Sequence, residues 1–470
     1  MREEHQQFVR LNFPTFCTLP DKIFQTMKKC VPVVRKIAKG ALILLVVLAV
    51  VHTISCFVLS RILEGRIAAI KAKGEPVSCA ELASPRIPDL QNAAVIYSEI
   101  FKTREAAIKS VPGQNANIWS YDCRLIMPEE RIKDPSLWDV ARRVMAGQEE
   151  IFALTEEAVA RPKCRFDVNW EAGFGALFPH IIYMRQQVRL LCTKALIDAK
   201  DGNMNDAMHN IELAFRVSES LKDEPLLLCQ SARWSCVKMA SKGLRDVASY
   251  GKISKEQADH LSTLLSQIDL RPGLIEGLKG ERTMGIWWFD EIHKNPRELF
   301  NGSDQKRPSD LIAKAAWFVM RPLIYLDEIY YLDSYASYIE IGQHPYREVV
   351  KSDHGKYLWY ARISNILLPS SPIFASRDTT KAEIDGSRIF LAIQVYKNKF
   401  GNYPASLYDL KSKLRISLPK DPFSGRDFIY HRQPNGYLLY SIGGNMEDDG
   451  CAEPGLNQNS RVVGDVAWRE

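Results

Sequence analysis

The chain has 470 residues, which is too many for one hydrophobic core, so two or three folded regions are expected. Hydrophobic residues make up 46% and charged residues 25%, a composition that is typical of folded proteins and argues against long disorder. The formal net charge of +6 is spread along the chain, with no Lys/Arg cluster after the first forty residues, so nucleic acid is not expected as a partner.

An uncharged apolar run begins at Ala41 and ends at Leu59. At a rise of about 1.5 Å per residue, it nearly crosses a hydrocarbon core about 30 Å thick. A core helix is the alternative, but such a helix usually has a polar face, and the first eleven residues of the run lack one. Because some forty residues precede it, the run is typical of a retained signal anchor and not of a cleaved signal peptide. The sequence therefore predicts a single-pass transmembrane helix over residues 40–62.

The basic residues flanking this run predict its orientation. Within about twenty residues of the run, six precede it and four follow it: Lys22, Lys28, Lys29, Arg35, Lys36 and Lys39 before, and Arg61, Arg66, Lys71 and Lys73 after. Lys and Arg accumulate on the cytoplasmic side of membrane proteins. We therefore expect a basic cytoplasmic segment over residues 1–39, with the bulk of the chain on the periplasmic or extracytoplasmic side of a bacterial inner membrane.

Ten cysteines are present, and seven of them lie after the predicted span. None forms a CxxC pair or a metal-type cluster in the sequence, which argues against zinc and thioredoxin-like chemistry. Cys192, Cys229 and Cys236 lie in apolar helical patterns that favour buried free thiols. The disulfide pairing stays open.

Residues 63–375 are predicted to form one helical domain, which makes the fold class mainly α. Apolar periodicity and capping signals predict the following helices: 89–110, 134–160 opening at Asp134 and Pro135, a hairpin over 181–221 with its turn at Gly202 and Asn203, 254–268 with a capping box from Ser254 to Gln257, 274–294 and 309–340. The hairpin is similar to one unit of a tetratricopeptide array, but repeats need at least three copies. A general helical bundle is the favoured interpretation.

Large aromatic residues and two acidic pairs are concentrated in the last part of this domain. The aromatic residues are Trp287, Trp288, Phe289, Trp317, Phe318, Tyr325, Tyr330, Tyr331, Tyr335 and Tyr338. They favour core packing over a glycan-binding platform. The acidic groups, Asp290 and Glu291 near His293 and Asp327 beside Glu328, are interpreted as surface charges on amphipathic helices.

The last hundred residues have a different pattern, and a small α+β domain is predicted over residues 376–470. Thr380 and Glu383 form a capping-box pattern that predicts a helix ending at Gly401. A short helix beginning near Pro404 and a loop over 418–425 follow. Two β-rich runs over 427–431 and 437–441, separated by a turn containing Asn435 and Gly436, predict a β-hairpin packed on the first helix.

Six segments of this domain carry a family resemblance: AIQVYKNKFGNYPASLYDL, LPKDPFSG, DFIYH, GYLLYSIGGN, EDDG and GDVAW. In this order, they resemble the globular domain of the major pseudopilin of type II secretion systems. Upstream, EEAVARPKCRF and GERTMGIWW are similar to large membrane-anchored bacterial proteins that end in the same domain. The second resemblance implies a layout and no function.

The pseudopilin resemblance implies a calcium site in the loop after the hairpin. Asn445, Asp448, Asp449 and Asp465 are the residues that it assigns as calcium ligands. Calcium takes about six to eight oxygen ligands in an irregular shell, which such a loop can supply. An acidic turn without metal is the alternative.

No nucleophile elbow, HExxH helix, P-loop or dinucleotide glycine pattern appears in the sequence, so catalysis is not expected and no catalytic residue is assigned. The leading hypothesis is an envelope-anchored interaction or scaffold protein, linked to type II secretion or pilus-like assembly, whose partners are the membrane and other envelope or secretion proteins. One alternative is an extracytoplasmic hydrolase or glycan-binding protein with its pocket in the aromatic-rich region. Another is a divergent pilin-like subunit.

Overall fold

A computed structural model describes residues 21–83, 85, 87–109, 136–300, 309–350, 358–369, 372–451, 455–456, 462–463 and 466–469. Helices dominate this part of the chain, and its largest sheet has three strands. The prediction of a mainly α protein is confirmed. The chain divides into two units, Met1–Ile62 and Leu63–Glu470, and the division falls inside the first helix, α1 (Asp21–Ala72).

In the first unit, the α1 side chains between Val33 and Ile62 are mostly exposed, including Leu44, Leu45 and Phe57. Among the described residues, α1 provides the one helix that is long and apolar enough to cross a membrane. An exposed apolar surface of this length is unfavourable in water and favourable in lipid. The predicted apolar helix is therefore present.

The second unit begins with helices of very different lengths. They are α2 (Cys79–Leu82), α3 (Ala93–Lys109), α4 (Ser136–Met145), α5 (Glu149–Ala160), α6 (Pro179–Lys200), α7 (Met204–Glu219), α8 (Leu227–Ala248), α9 (Lys255–Ser266), α10 (Arg271–Lys294), α11 (Asp310–Gly342), α12 (Tyr346–Val349) and α13 (Ser364–Leu367). Helices α6, α7 and α8 pack closely on one another around a core that includes Leu191, Phe215 and Trp234.

The predicted hairpin is formed by α6 and α7. Gly202, in the turn between them, has φ +86°, a conformation that glycine adopts without strain. Ala195, Ala207 and Ala214 are fully buried, so small side chains lie inside the hairpin as the pattern predicted.

The predicted helix over 134–160 is instead two helices, α4 and α5. Gly147 has φ +80° and ends the first one, and Gln148 precedes the second. Periodicity alone did not detect this break because apolar residues keep a helical spacing on both sides of it. Asp134 and Pro135, the predicted start, lie outside the described residues.

The C-terminal part contains α14 (Pro372–Phe400), α15 (Leu407–Leu414), β1 (Ile429–Gln433), β2 (Gly436–Ser441), β3 (Gly455–Leu456), β4 (Val462–Val463) and β5 (Val466–Arg469). Strand β2 pairs antiparallel with β1 and β5, in the order β1-β2-β5. This sheet packs on α14, where a Cβ atom on Gly386 would lie 2.2 Å from the buried Trp468 ring. The predicted hairpin packed on a helix is confirmed.

The predicted start of that helix at Thr380 is wrong. Helix α14 begins at Pro372, and Thr380 lies inside it, where its Oγ1 donates a hydrogen bond to the Ser376 carbonyl oxygen. Proline suits a first helical turn, and buried Phe374 extends the apolar face upstream. The predicted end at Gly401 is confirmed, because Gly401 has φ +77° and donates its N–H to the Lys397 carbonyl.

Helix α14 also packs on α8 and α9. Arg245 forms an ion pair with Glu383 at 2.9 Å, and Asn398 Nδ2 donates to the Ile253 carbonyl at 2.8 Å. The predicted boundary between 375 and 376 thus falls inside a helix shared by the C-terminal sheet and the helical region. The division into one domain over residues 63–375 and another over residues 376–470 stays a prediction.

Candidate functional site

The predicted calcium loop forms a turn at the surface, after β2. Asn445 Nδ2 donates to Asp449 Oδ2 at 2.5 Å, so the fold brings these two residues together. Asp448 Oδ1 accepts instead from Tyr440 Oη and from the Gly450 N–H, both at 3.0 Å. Asp465 lies outside the described residues. Calcium binding by this loop stays a prediction.

Asp327 is not a surface charge, and that interpretation was wrong. The residue is 3% exposed. Its carboxylate accepts the backbone N–H groups of Ile363 at 2.9 Å and Ser364 at 3.1 Å, and also the Ser364 hydroxyl. Burial raises the pKa of Asp327, and these donors oppose the increase. Asp327 therefore holds the start of α13 against α11, which is a structural role.

Glu328 is also buried, at 1% exposed, and the surface interpretation fails for it too. Its Oε2 atom lies 3.5 Å from His293 Nε2, and Trp317 Nε1 donates to His293 Nδ1 at 3.4 Å. Burial raises the pKa of Glu328, while His293 lowers it. Asp290, in contrast, is exposed, and Glu291 is partly exposed.

Half of the aromatic residues in the aromatic-rich region are packed inside the protein. Five of the region's ten aromatic residues are buried: Phe289, Tyr325, Tyr331, Tyr335 and Tyr338. Tyr331 and Tyr335 rings lie 4.8 Å apart, and Tyr331 Oη donates to the Glu281 carbonyl at 2.8 Å. The favoured interpretation of this region, core packing, holds for these five residues.

A buried cluster that the sequence analysis missed consists of His180, Glu224 and Cys229. His180 lies in the first turn of α6, Glu224 in the connection between α7 and α8, and Cys229 in the first turn of α8. One potential metal-binding atom from each of the three lies within 4.8 Å of the others, and none of the residues is more than 4% exposed. The cluster joins three separate elements, so no short sequence motif could have indicated it.

The His180 ring is held by aromatic neighbours. The Phe166 ring stacks on it with 4.2 Å between centroids and 9° between planes, and Phe178 meets it edge-on at 6.1 Å. His180 Nε2 and both carboxylate oxygens of Glu224 are buried without a hydrogen bond of ordinary geometry. Buried polar atoms without partners are uncommon in folded proteins, so this arrangement calls for an explanation.

Burial dominates the electrostatics of the cluster. It lowers the pKa of His180 to about 4 and raises the pKa of Glu224 to about 7. The charge of Arg165, the Phe166 N–H and the Cys229 thiol each lower the Glu224 pKa, but they do not offset its burial. Burial also raises the pKa of Cys229. Without a bound cation, the site therefore favours the neutral forms of its groups.

A cleft of about 510 Å³ lies beside this cluster. Its wall includes Cys164, Ser220 and Asp223. Cys164 and Asp223 both interact electrostatically with Glu224, so the cleft wall adjoins the buried carboxylate. The cleft thus lies close to the cluster, although His180, Glu224 and Cys229 do not themselves line it.

Another acid with a raised pKa, the partly buried Glu281, lines a cleft of about 380 Å³ together with Leu227, Tyr335 and Leu367. Burial raises its pKa from 4.5 to about 7, although it accepts the backbone N–H groups of Leu227 and Leu228 at the start of α8. The folded state therefore retains a proton on Glu281 at a pH where the unfolded chain has lost it.

We expect Glu281→Gln to stabilise the protein at pH 8 and to have little effect near pH 4. The wild type loses stability as the pH rises from the pKa of Glu281 in the unfolded chain, 4.5, to its pKa in the folded protein, about 7. The glutamine side chain is neutral at every pH and avoids this loss. A shift of this size corresponds to at most about 3 kcal/mol. Urea denaturation of both proteins from pH 4 to pH 8 measures the difference. A difference that does not change with pH would contradict the assignment.

Comparisons with protein-family models, curated proteins and solved structures each return no match for this chain. The pseudopilin resemblance therefore stays a hypothesis based on the sequence segments that carry it. The sites above are defined by the geometry of this chain alone.

Proposed function

We propose that the protein is a non-catalytic interaction protein of the bacterial cell envelope, anchored by α1 with its second unit outside the cytoplasm, and that it contacts proteins of type II secretion or pilus-like assembly. The apolar helix supports the anchor, and the excess of basic residues before it supports the orientation. The pseudopilin-like segments support the link to secretion.

The observation that carries the proposal is an exposed apolar surface on the first part of α11. Leu311 is 79% exposed, Ile312 59% and Val319 70%. Ile312 and Val319 are seven residues apart, so they lie on the same face of the helix. A contiguous exposed apolar surface is typical of an interaction site. Helical spacing fits the apolar face of a partner helix, and we assign that partner to another envelope protein.

A photo-cross-linking amino acid at Val319, incorporated in intact cells, tests this proposal. We expect a discrete adduct with a protein that mass spectrometry identifies as an envelope component of secretion or pilus-like assembly. The matched control is the same amino acid at Tyr408, which is 80% exposed on a different helix, α15, and should give no such adduct. Equal adducts at both positions, or an adduct with lipid alone at Val319, would contradict the proposal.

The alternative function, an extracytoplasmic hydrolase or glycan-binding protein, is favoured by one feature, the pair formed by His293 and Glu328 beside the partly exposed Trp317. Against it, Glu328 is 1% exposed, which leaves little room for a substrate at the acid. Co-sedimentation of the wild type with purified peptidoglycan tests this alternative. If the wild type sediments and the Trp317→Ala variant does not, the alternative is favoured over the interaction protein.

A further inference from the structure

We propose that His180, Glu224 and Cys229 form a binding site for a transition-metal ion of the Zn²⁺ class. This site is separate from the apolar surface on α11 and from the predicted calcium loop. The sequence argued against zinc, because none of the cysteines forms a CxxC pair or a metal-type cluster. His180, Glu224 and Cys229 lie on separate elements and form no short motif. The fold brings them together.

The first argument is distance. His180 Nε2 and Glu224 Oε2 are 3.8 Å apart, and one ligand atom of each residue lies within 4.8 Å of the others. In a tetrahedral zinc site with bonds of about 2.0–2.3 Å, neighbouring ligand atoms are roughly 3.4–3.6 Å apart. Small side-chain movements therefore suffice for all three residues to reach one ion.

The second argument is poor hydrogen bonding. His180 Nε2 and both Glu224 oxygens are buried without a hydrogen bond of ordinary geometry, although the Phe166 N–H and the Cys229 thiol interact with the carboxylate. The nearby cation, Arg165, donates instead to the carbonyl oxygens of Asp223 at 2.8 Å and Leu82 at 2.5 Å. A metal ion would satisfy the imidazole nitrogen and the carboxylate at once, and it would bind the Cys229 thiolate.

The third argument is ligand chemistry. One imidazole, one thiolate and one carboxylate suit Zn²⁺ and related late transition metals, whereas Ca²⁺ and Mg²⁺ require shells made mainly of oxygen. Three protein ligands leave a fourth position for water, which the cleft lined by Cys164 and Asp223 can supply. The stacked Phe166 ring keeps His180 in place for binding.

The competing state contains no metal, with Glu224 protonated among neutral His180 and Cys229. Both states account for the buried groups, so the experiment must detect the ion and its ligands directly. Zn²⁺ and Co²⁺ are the probes, added separately to full-length protein that has been purified in detergent, treated with a chelator and dialysed. Co²⁺ is informative because a cobalt–thiolate bond gives a charge-transfer absorption and a tetrahedral site gives visible bands.

We expect about one equivalent of Zn²⁺ to bind and the Co²⁺ form to have the thiolate band. Cys229→Ser should remove that band, and the matched control Cys236→Ser, at another buried cysteine of α8, should keep it. Glu224→Gln keeps the shape of the side chain and should weaken Zn²⁺ binding by at least about tenfold, because the loss of a residue that only supports a metal ligand already costs about that much. Circular dichroism of the metal-free variants checks that they fold.

Three outcomes would overturn the proposal. One is no Zn²⁺ bound to the wild type, and another is a Co²⁺ spectrum without a thiolate band; neither depends on a variant. The third is binding that Cys229→Ser and Glu224→Gln leave unchanged. Exposed pairs of His209 with Glu156 and of His260 with Glu212 could hold zinc at the surface, so binding that is lost only in a His209→Gln, His260→Gln double variant falls under this outcome.

Discussion

Replacing Arg377 with alanine is expected to lower the free energy of unfolding by about 3–5 kcal/mol, the usual cost of removing one partner of a buried ion pair. Arg377 and Asp378 are each 4% exposed. The guanidinium donates to Asp378 at 2.6 Å and to the carbonyl oxygens of Gly342 at 2.7 Å and His344 at 2.8 Å. Arg377, in the first turns of α14, therefore supplies hydrogen-bond donors to carbonyl groups at the C-terminal end of α11.

The alanine variant would leave Asp378 buried without its cation and two carbonyl groups without a donor. The Asp378 carboxylate would still accept a hydrogen bond from the Tyr346 backbone N–H at 2.7 Å, but this donor cannot neutralise the negative charge of Asp378. Urea denaturation of the full-length protein in detergent measures the loss. Arg216→Ala, which removes an exposed ion pair with Glu212, is the control and should cost less than about 1 kcal/mol. Equal losses in the two variants would contradict the role assigned to Arg377.

Gly280→Ala is expected to cost about 3 kcal/mol or more, at the upper end of the usual penalty for overpacking. A Cβ atom at this position would lie 1.6 Å from the Pro225 carbonyl oxygen. That oxygen belongs to the backbone and cannot turn away as a flexible side chain can. Helix α10 would have to move away from the chain segment that leads into α8. Pro225 follows Glu224, so the substitution should also disturb the buried cluster.

Gly65→Ala is the matched control for this prediction. Gly65 also lies inside a helix, but a Cβ atom there would have no heavy atom within 4 Å. Alanine is favoured over glycine in helices by about 1 kcal/mol, so this variant should be as stable as the wild type or more stable. Thermal melting of both variants gives the comparison. A Gly280→Ala protein as stable as the Gly65→Ala protein would show that α10 and the Pro225 segment are not in close contact.

Local patterns in the sequence predicted many elements of the fold. Ser254 and Gln257 form the expected capping box, in which each side chain accepts a hydrogen bond from the backbone N–H of the other residue. Gly202 and Gly401 end helices as predicted, because positive φ angles are local properties of glycine. The β-hairpin was predicted for a similar reason, since its turn chemistry is contained in a few adjacent residues.

Features that depend on tertiary packing were not predictable from these patterns. Asp327 and Glu328 have the spacing of ordinary helix-surface charges on α11. Both are nevertheless buried, because Glu328 faces His293 of α10 and Asp327 faces the start of α13. The cluster of His180, Glu224 and Cys229 shows the same limit, because its members come from three elements and only the packing of α6 against α8 brings them together. Sequence spacing identifies metal sites only when the ligands share a local motif.

Protease digestion of spheroplasts tests the proposed topology, in which α1 anchors the protein and the second unit lies outside the cytoplasm. The full chain carries one epitope at its N-terminus and another at its C-terminus, and protease is added before and after the spheroplasts are lysed. We expect intact spheroplasts to lose the C-terminal epitope and to keep the N-terminal epitope in the membrane fraction. A C-terminal epitope that is digested only after lysis would place the second unit in the cytoplasm and contradict the proposed topology.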